Sequence, residues 1–214
     1  FERLAEFVLG KLRRPEPNLL SEEGRVMVLR ALLARERERL QLFQTSARMP
    51  GFARRLSELL RELQRHRIGP ERLERLASSR DASPTLAAKL ADARHLLCAY
   101  AEWLGTHGLD DADRLLDIAA GALREPATGD TPLIESLWLD GFAEMTPQEL
   151  ELLDAVVGRC GSATLAFCLD QAPPERVSLV SAWGLIGETF RKCHARLRQI
   201  EGANCEIEVL QRDP

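Results

Sequence analysis

The sequence predicts an α plus α/β chain, in which an all-helical unit is followed by part of a parallel sheet domain. Three observations carry this. Through the first 125 positions apolar residues recur three and four apart, with no run that alternates with period two. After Thr131 short apolar runs take turns with capped helices, the strand–helix–strand order of parallel units. The chain has 214 residues, 45% hydrophobic and 29% charged. That supports a packed core and excludes a disordered tail, a collagen or a disulfide miniprotein. No apolar run approaches the roughly 18–20 residues that span a bilayer, so no membrane role is expected.

The helical elements follow in order. Leu4, Phe7, Val8 and Leu12 make a short amphipathic helix. Ser21 is placed to cap a longer one carrying Val26, Leu29, Leu32, Leu33, Leu40 and Phe43 on one side. Pro50 opens a third, with Phe52, Leu56, Leu59, Leu60 and Leu63 on its apolar face. Gly69-Pro70 stops that helix and starts a short successor through Leu76. Ser83-Pro84 opens the next, through Leu86, Leu90, Ala93, Leu97, Tyr100 and Leu104, and a last helix runs from Asp111 to about Leu123. Then the pattern changes. Leu137-Trp138-Leu139 reads as a strand ended by Asp140-Gly141, and Thr146-Pro147-Gln148-Glu149 as a capping box. The helix it opens ends at Gly161. Ala163–Leu169 reads as a second strand, Gly187–Ile200 as a helix beyond the Pro173-Pro174 loop, and Cys205–Leu210, which alternates, as a third strand. Three strands leave the sheet incomplete. With the Phe1 start, which lacks both Met and a signal-peptide pattern, this leads us to expect a piece of a longer chain, with the missing strands upstream of Phe1, downstream of Pro214, or both.

Charge and cysteines bound the function classes. The net charge of −4 hides a split: residues 1–80 carry 18 Lys/Arg against 11 Glu and no Asp, and the remainder is acidic. A basic first part fits an anionic partner or a surface shared with the acidic part. Five cysteines, odd in number and without a CxxC pair, fit isolated thiols in a reducing cytoplasm. No zinc-type ligand spacing occurs, so no metal site is expected.

The stretch from Leu137 to Leu150 has functional grammar. An apolar strand that delivers an acidic residue at its tip, before a helix, is where P-loop NTPases hold magnesium beside the nucleotide phosphates. In superfamily I helicases of the UvrD type this strand ends in Asp-Glu-Phe-Gln-Asp, with a Gln further on. The matching positions here are Asp140, Gly141, Phe142, Ala143 and Glu144, with Gln148 beyond. Gly141 replaces the carboxylate that polarises the attacking water, so hydrolysis by this site is expected to be lost. The plain alternative is an ordinary Asp-Gly turn at a strand end.

Asp140-Gly141-Phe142 followed by Met145-Thr146-Pro147-Gln148-Glu149 resembles the AddB (RexB) subunits of bacterial AddAB helicase–nucleases, although Met145 stands where Phe is usual. Phe1–Ala5, Pro50-Gly51-Phe52-Ala53 through Glu62-Leu63-Gln64-Arg65, Lys89–Asp92 with Tyr100, Asp111–Leu116 and Thr189–Leu197 are similar to further stretches of that family. The resemblance implies a helical 1B-type subdomain over residues 1–125 and part of a P-loop or RecA-like 1A domain, with degenerate motif II, over 130–214. It implies that the parent is a subunit of an ATP-dependent exonuclease that partners an AddA-type helicase, which uses the ATP, in processing DNA double-strand breaks, and that its helicase-like part contributes to recognising the Chi sequence. It also implies a nuclease domain with an iron–sulfur cluster and Mg2+. This chain has no GxxxxGK[ST] and no recognisable nuclease carboxylate–Lys set or cluster-binding cysteines. A phosphate loop, if the parent has one, is therefore expected upstream of Phe1 and the nuclease beyond Pro214, and the chain itself is expected to need no cofactor, to hydrolyse no ATP and to cut no DNA.

Two further patterns have a functional and a plain reading. Arg54, Arg55, Arg61, Arg65 and Arg67 lie largely opposite the Phe52/Leu56/Leu59/Leu63 face and suit a DNA backbone; the alternative is a solvated face laced by Glu58 and Glu62. The run Arg35–Arg39 reads as an exposed helix surface. Asp110, Asp111, Asp113 and Asp117 suit a metal or, more simply, the positive end of a helix dipole. Trp103 and Trp138 read as core or subunit contacts. Two other functions stay open on these residues: a fragment of an active superfamily I helicase, and a helical protein-interaction module without DNA.

Overall fold

The computed structural model describes residues 1–126, 131–169 and 183–210; the Pro173-Pro174 loop lies outside them. The chain forms two compact units, one of Pro15–Leu115 and one of Phe1–Arg14 with Leu116–Pro214. These boundaries differ from the 1–125 and 130–214 division read from the sequence.

The unit Pro15–Leu115 begins with strand β1 (Leu19–Leu20) and helix α2 (Glu22–Glu36), and continues through α3 (Phe52–Arg65), α4 (Pro70–Ala77) and α5 (Pro84–His107) to β2 (Asp110–Asp111). Ser21 caps α2, its Oγ accepting from Gly24 N–H at 3.1 Å, and Ser83 caps α5 by accepting from Leu86 N–H at 3.2 Å. Leu29, Leu32 and Leu33 of α2 meet Leu56 and Leu60 of α3, Leu73 of α4, and Leu96 and Tyr100 of α5 in one core. Each such leucine contributes on the order of 2 kcal/mol of burial. Two readings are corrected. The unit is not all helix, because β1 pairs in parallel with β2, Leu19 opposite Asp110. Nor does α2 run on to Phe43: it tightens into a 3-10 turn at Arg37–Arg39, and Leu40 and Phe43 reach the core from a loop. The buried carboxylate of Asp92 replaces helical hydrogen bonds there, accepting from the N–H groups of Gln41, Leu42 and Phe43 at 2.8, 2.7 and 2.8 Å.

In the second unit α1 (Glu2–Lys11) is joined by α6 (Leu115–Arg124, whose first residue falls in the other unit), β3 (Ile134–Leu139), α7 (Pro147–Val157), β4 (Cys160–Leu165) and α8 (Gly184–Leu197). β3 and β4 are parallel, with Ile134 opposite Cys160 and Leu139 opposite Leu165, and α7 makes the crossover. The capping box forms: Thr146 Oγ1 accepts from Glu149 N–H at 3.2 Å while Glu149 Oε2 accepts from Thr146 N–H at 2.7 Å. Helix α7 ends at Gly158 rather than Gly161. Gly161 lies within β4, where an added Cβ would come 2.8 Å from the Glu135 carbonyl oxygen of β3. The third strand is also corrected. Residues 205–210 belong to no ladder, and Ile207, Val209 and Leu210 are exposed. Alternation fits a strand, but only a paired neighbour makes one. Among the described residues the class is mixed: mainly helices, with two small parallel sheets of two strands each. No described helix is long and apolar enough to cross a membrane.

Candidate functional site

Strand β3 delivers Asp140 to an exposed tip. Its Oδ1 accepts from the N–H of Gly141 at 2.7 Å, and Gly141 takes φ +81°, a left-handed conformation that suits glycine and strains any residue with a side chain. The loop that follows is held by packing. The Phe142 ring meets Phe1 edge-on at 5.2 Å, Thr189 Oγ1 of α8 donates to the Ala143 carbonyl at 2.9 Å, and buried Met145 receives the Cys193 thiol at 3.7 Å. Burial pushes that thiol up to about 11, with Asp154 adding to the shift. Gln148 is buried, its amide donating to Asp117 Oδ2 at 3.0 Å. Of the four positions singled out at this strand tip, Asp140 alone carries a carboxylate, exposed and engaged through Oδ1 by the Gly141 N–H. Gly141 has no side chain, and Phe142 and Gln148 serve packing. Among the described residues no group of three or more His, Cys, Asp or Glu side chains is arranged to hold a metal ion. The five cysteines are free thiols.

The five arginines singled out in and just after α3 differ in their surroundings. Arg55 pairs with Glu58 at 2.9 Å and Arg65 reaches Glu62 at 4.0 Å, whereas Arg54 is exposed at the head of the helix. Arg67 is exposed just past the helix end, with φ +53°. Arg61 points into an ion cluster that sequence reasoning missed. Buried Arg25 donates to Asp111 and Asp113, Arg61 reaches Asp113 and Glu22, each at 3.2 Å, and Gln64 donates to Asp111 at 2.9 Å. Burial works against the Arg25 charge, but the two aspartates outweigh it and raise its pKa. The same surroundings raise the Tyr100 hydroxyl, chiefly through burial. Asp111 also accepts from Asp113 N–H at 3.1 Å, so the capping reading holds for Asp111. The missed signal was Arg25 itself, three and four positions before Val28 and Leu29 on the apolar stripe of α2. Glu36 gave the same signal seven residues after Leu29. It is buried and bound by Arg35, Arg39 and His95, so the Arg35–Arg39 run is not uniformly an exposed surface. Trp103 packs partly buried against the core and stacks on His107 at 4.0 Å; Trp138 is 73% exposed.

Fold and site together define a protein of helices and small parallel sheets, with a strand tip and following loop that carry two exposed carboxylates, Asp140 and Glu144. The sequence profile of the family described as ADDB, N-terminal matches residues 1–213. The chain belongs to this AddB N-terminal family. Among its relatives is a subunit of the ATP-dependent helicase/deoxyribonuclease of Symbiobacterium thermophilum, 36% identical over 79% of this chain and 14% of the relative. Proteins of the same description from Desulforudis audaxviator, 31% identical over 95% of this chain and 17% of the relative, and Moorella thermoacetica, 32% identical over 89% and 16%, are also similar. The chain thus spans about one-sixth of the length of these curated relatives.

Proposed function

We propose that this chain is a helicase-like part, without hydrolytic chemistry of its own, of a helicase–nuclease subunit that processes DNA double-strand breaks in the cytoplasm. In this reading it positions DNA and docks an AddA-type motor subunit, which uses the ATP. The helical unit Pro15–Leu115 then plays the part of a 1B-type subdomain, and the unit containing β3 and β4 that of a P-loop or RecA-like 1A domain. The relatives' description as helicase/deoxyribonuclease subunits supports the assignment to DNA. The iron–sulfur cluster and Mg2+ of nuclease chemistry belong, in this reading, to parts of the parent outside this chain.

One observation carries the non-hydrolytic role. At the strand tip, the position that would hold a water-polarising carboxylate is Gly141, in a left-handed turn whose N–H is bound by Asp140 itself. A side chain restored there would meet both an unfavourable φ and a carboxylate already committed to the turn. The test is Asp140→Ala in the complete parent assembly. ATP turnover is expected to stay at the wild-type rate. A working acid at this place contributes on the order of 100-fold or more, so a fall of tenfold or beyond would overturn the reading.

A further inference from the structure

The arginines of the unit Pro15–Leu115 sort by partner. Arg25 and Arg61 are engaged by Asp111, Asp113 and Glu22; Arg35 and Arg39 by Glu36; Arg55 by Glu58; Arg65 by Glu62; and Arg94 by Glu74. Arg30, Arg37, Arg48 and Arg54 have no carboxylate partner among the described residues, and all but half-buried Arg37 are exposed. Arg72, Arg75, Arg80 and Arg114 are unpaired as well, but the first three sit on α4 and the connector after it, interleaved with Glu71, Glu74 and Asp81, and Arg114 follows Asp110, Asp111 and Asp113.

The placement of the first set is what separates it. Arg54, in the first turn of α3, lines an open groove of about 320 Å³ with Glu22, Glu23, Val26 and Met27 of α2. Arg30 follows Val26 and Met27 by four and three positions, so it continues the same side of α2 by one turn, and Arg37 lies seven positions further on. Arg48 closes a 3-10 turn (Ser46–Arg48) that packs on both α2 and α3, and Phe52 N–H donates to the Met49 carbonyl at 3.2 Å to start α3 directly after it. Arg54 and Arg30 thus belong to the α2–α3 side that holds the groove, while Arg37 and Arg48 sit on the turns that follow α2 and precede α3. Exposed Met27 (72%) lies among them and Met49 (57%) beside them. The carboxylates close by in sequence are Glu22, Glu36 and Glu58, already bound to Arg61, Arg35 and Arg55, together with Glu23 and Glu38. An unpaired guanidinium keeps its planar fork for a bidentate contact with phosphate, whereas one held by a carboxylate must first give that contact up.

We infer that Arg30, Arg37, Arg48 and Arg54 form an edge that contacts the phosphodiester backbone of DNA, and that Arg55, Arg61 and Arg65 do not. The assignment rests on the reading that this chain positions DNA, and it narrows the arginines that do so. Each phosphate neutralised steepens the fall of log affinity with log salt by about 0.9. The experiment uses the full-length subunit in its complete assembly and a blunt duplex, titrated over a salt series. Replacing all four unpaired arginines by Ala is expected to weaken binding and to flatten the slope by about 3–4. The four-Lys variant keeps most of the slope, since it keeps the charge. Arg55→Ala with Arg65→Ala leaves the slope as it was. A wild-type slope in the four-Ala variant overturns the inference, as does an equal loss from the Arg55/Arg65 pair. So does loosened subunit association at an unchanged slope, which would assign the edge to an acidic protein surface. These failures leave the ATP-turnover result of Asp140→Ala untouched, and a loss of turnover in that variant leaves the slope untouched, so the two readings fail separately.

Discussion

Glu36 shows how one side chain can organise an element end. It sits where α2 gives way to the 3-10 turn, is only 6% exposed, and receives Arg35 at 2.7 Å, His95 at 3.0 Å and Arg39 at 3.1 Å. The hydrogen bond from Arg35, helped by His95 and Arg39, outweighs burial and holds its carboxyl below the ordinary 4.5. A carboxyl lowered in the folded state stabilises the fold above its ordinary value, and that contribution disappears as pH falls through the lowered one. Wild-type protein should therefore lose stability below about pH 4.5 more steeply than Glu36→Gln. Urea midpoints measured between about pH 6 and pH 3 give the comparison, and parallel curves would refute it. Arg25, Glu36 and Asp92 were each visible in the sequence as charges on apolar stripes. Their partners were not, because Asp111, His95 and the N–H groups of 41–43 lie 86, 59 and about 50 positions away and only the fold brings them together.

Helix ends were the most legible elements. Ser21, Ser83 and the Thr146/Glu149 box act through neighbours three residues away, so a local pattern suffices. Strand 205–210 and the helical run to Phe43 were misjudged because each depends on distant pairing. One local feature escaped notice. Helix α3 closes with Ile68 N–H on the Leu63 carbonyl at 2.7 Å and Arg67 N–H on Gln64 at 2.8 Å, which puts Arg67 in the left-handed position. Helix α1 repeats this with Arg13 at φ +52°, while α5 uses Gly108 at φ +61° with Leu109 N–H on Leu104 at 3.1 Å. Left-handed backbone costs a non-glycine residue about 1 kcal/mol. Arg13→Gly should thus raise stability slightly and Gly108→Ala lower it by about 1 kcal/mol, with thermal midpoints moving in opposite directions. Midpoints that move together would count against the left-handed account.

Across the whole molecule each unit has its own core, and two independent cores do not oblige the chain to unfold in one step. In the helical unit, Arg25→Ala leaves Asp111 buried and short of its cationic partner, a loss of about 3–5 kcal/mol. In the other unit the Cys193 thiol, buried against Met145, reports opening through its reaction with a thiol reagent. The expected outcome is a lower urea midpoint for helix loss in Arg25→Ala while Cys193 keeps its wild-type protection. Early labelling of Cys193 would show that the units open together. The sequence split of charge, basic over residues 1–80, maps onto this organisation only loosely, since residues 81–115 complete the helical unit and residues 1–14 belong to the other.

The edge contact of Phe1 with Phe142 has a consequence for synthesis. The ribosome delivers the chain in one direction, and roughly 100 residues of the helical unit emerge between the two parts of the unit that contains both rings. At 5–20 residues per second that is a wait of about 5–20 s. Throughout it α1, with Ala5, Val8 and Leu9 destined for burial, has none of the partners supplied by Leu116 and beyond. Vectorial emergence therefore sets the order: the intervening helices can close on themselves first, and α1 is among the last parts of the unit that contains β3 and β4 to find its place.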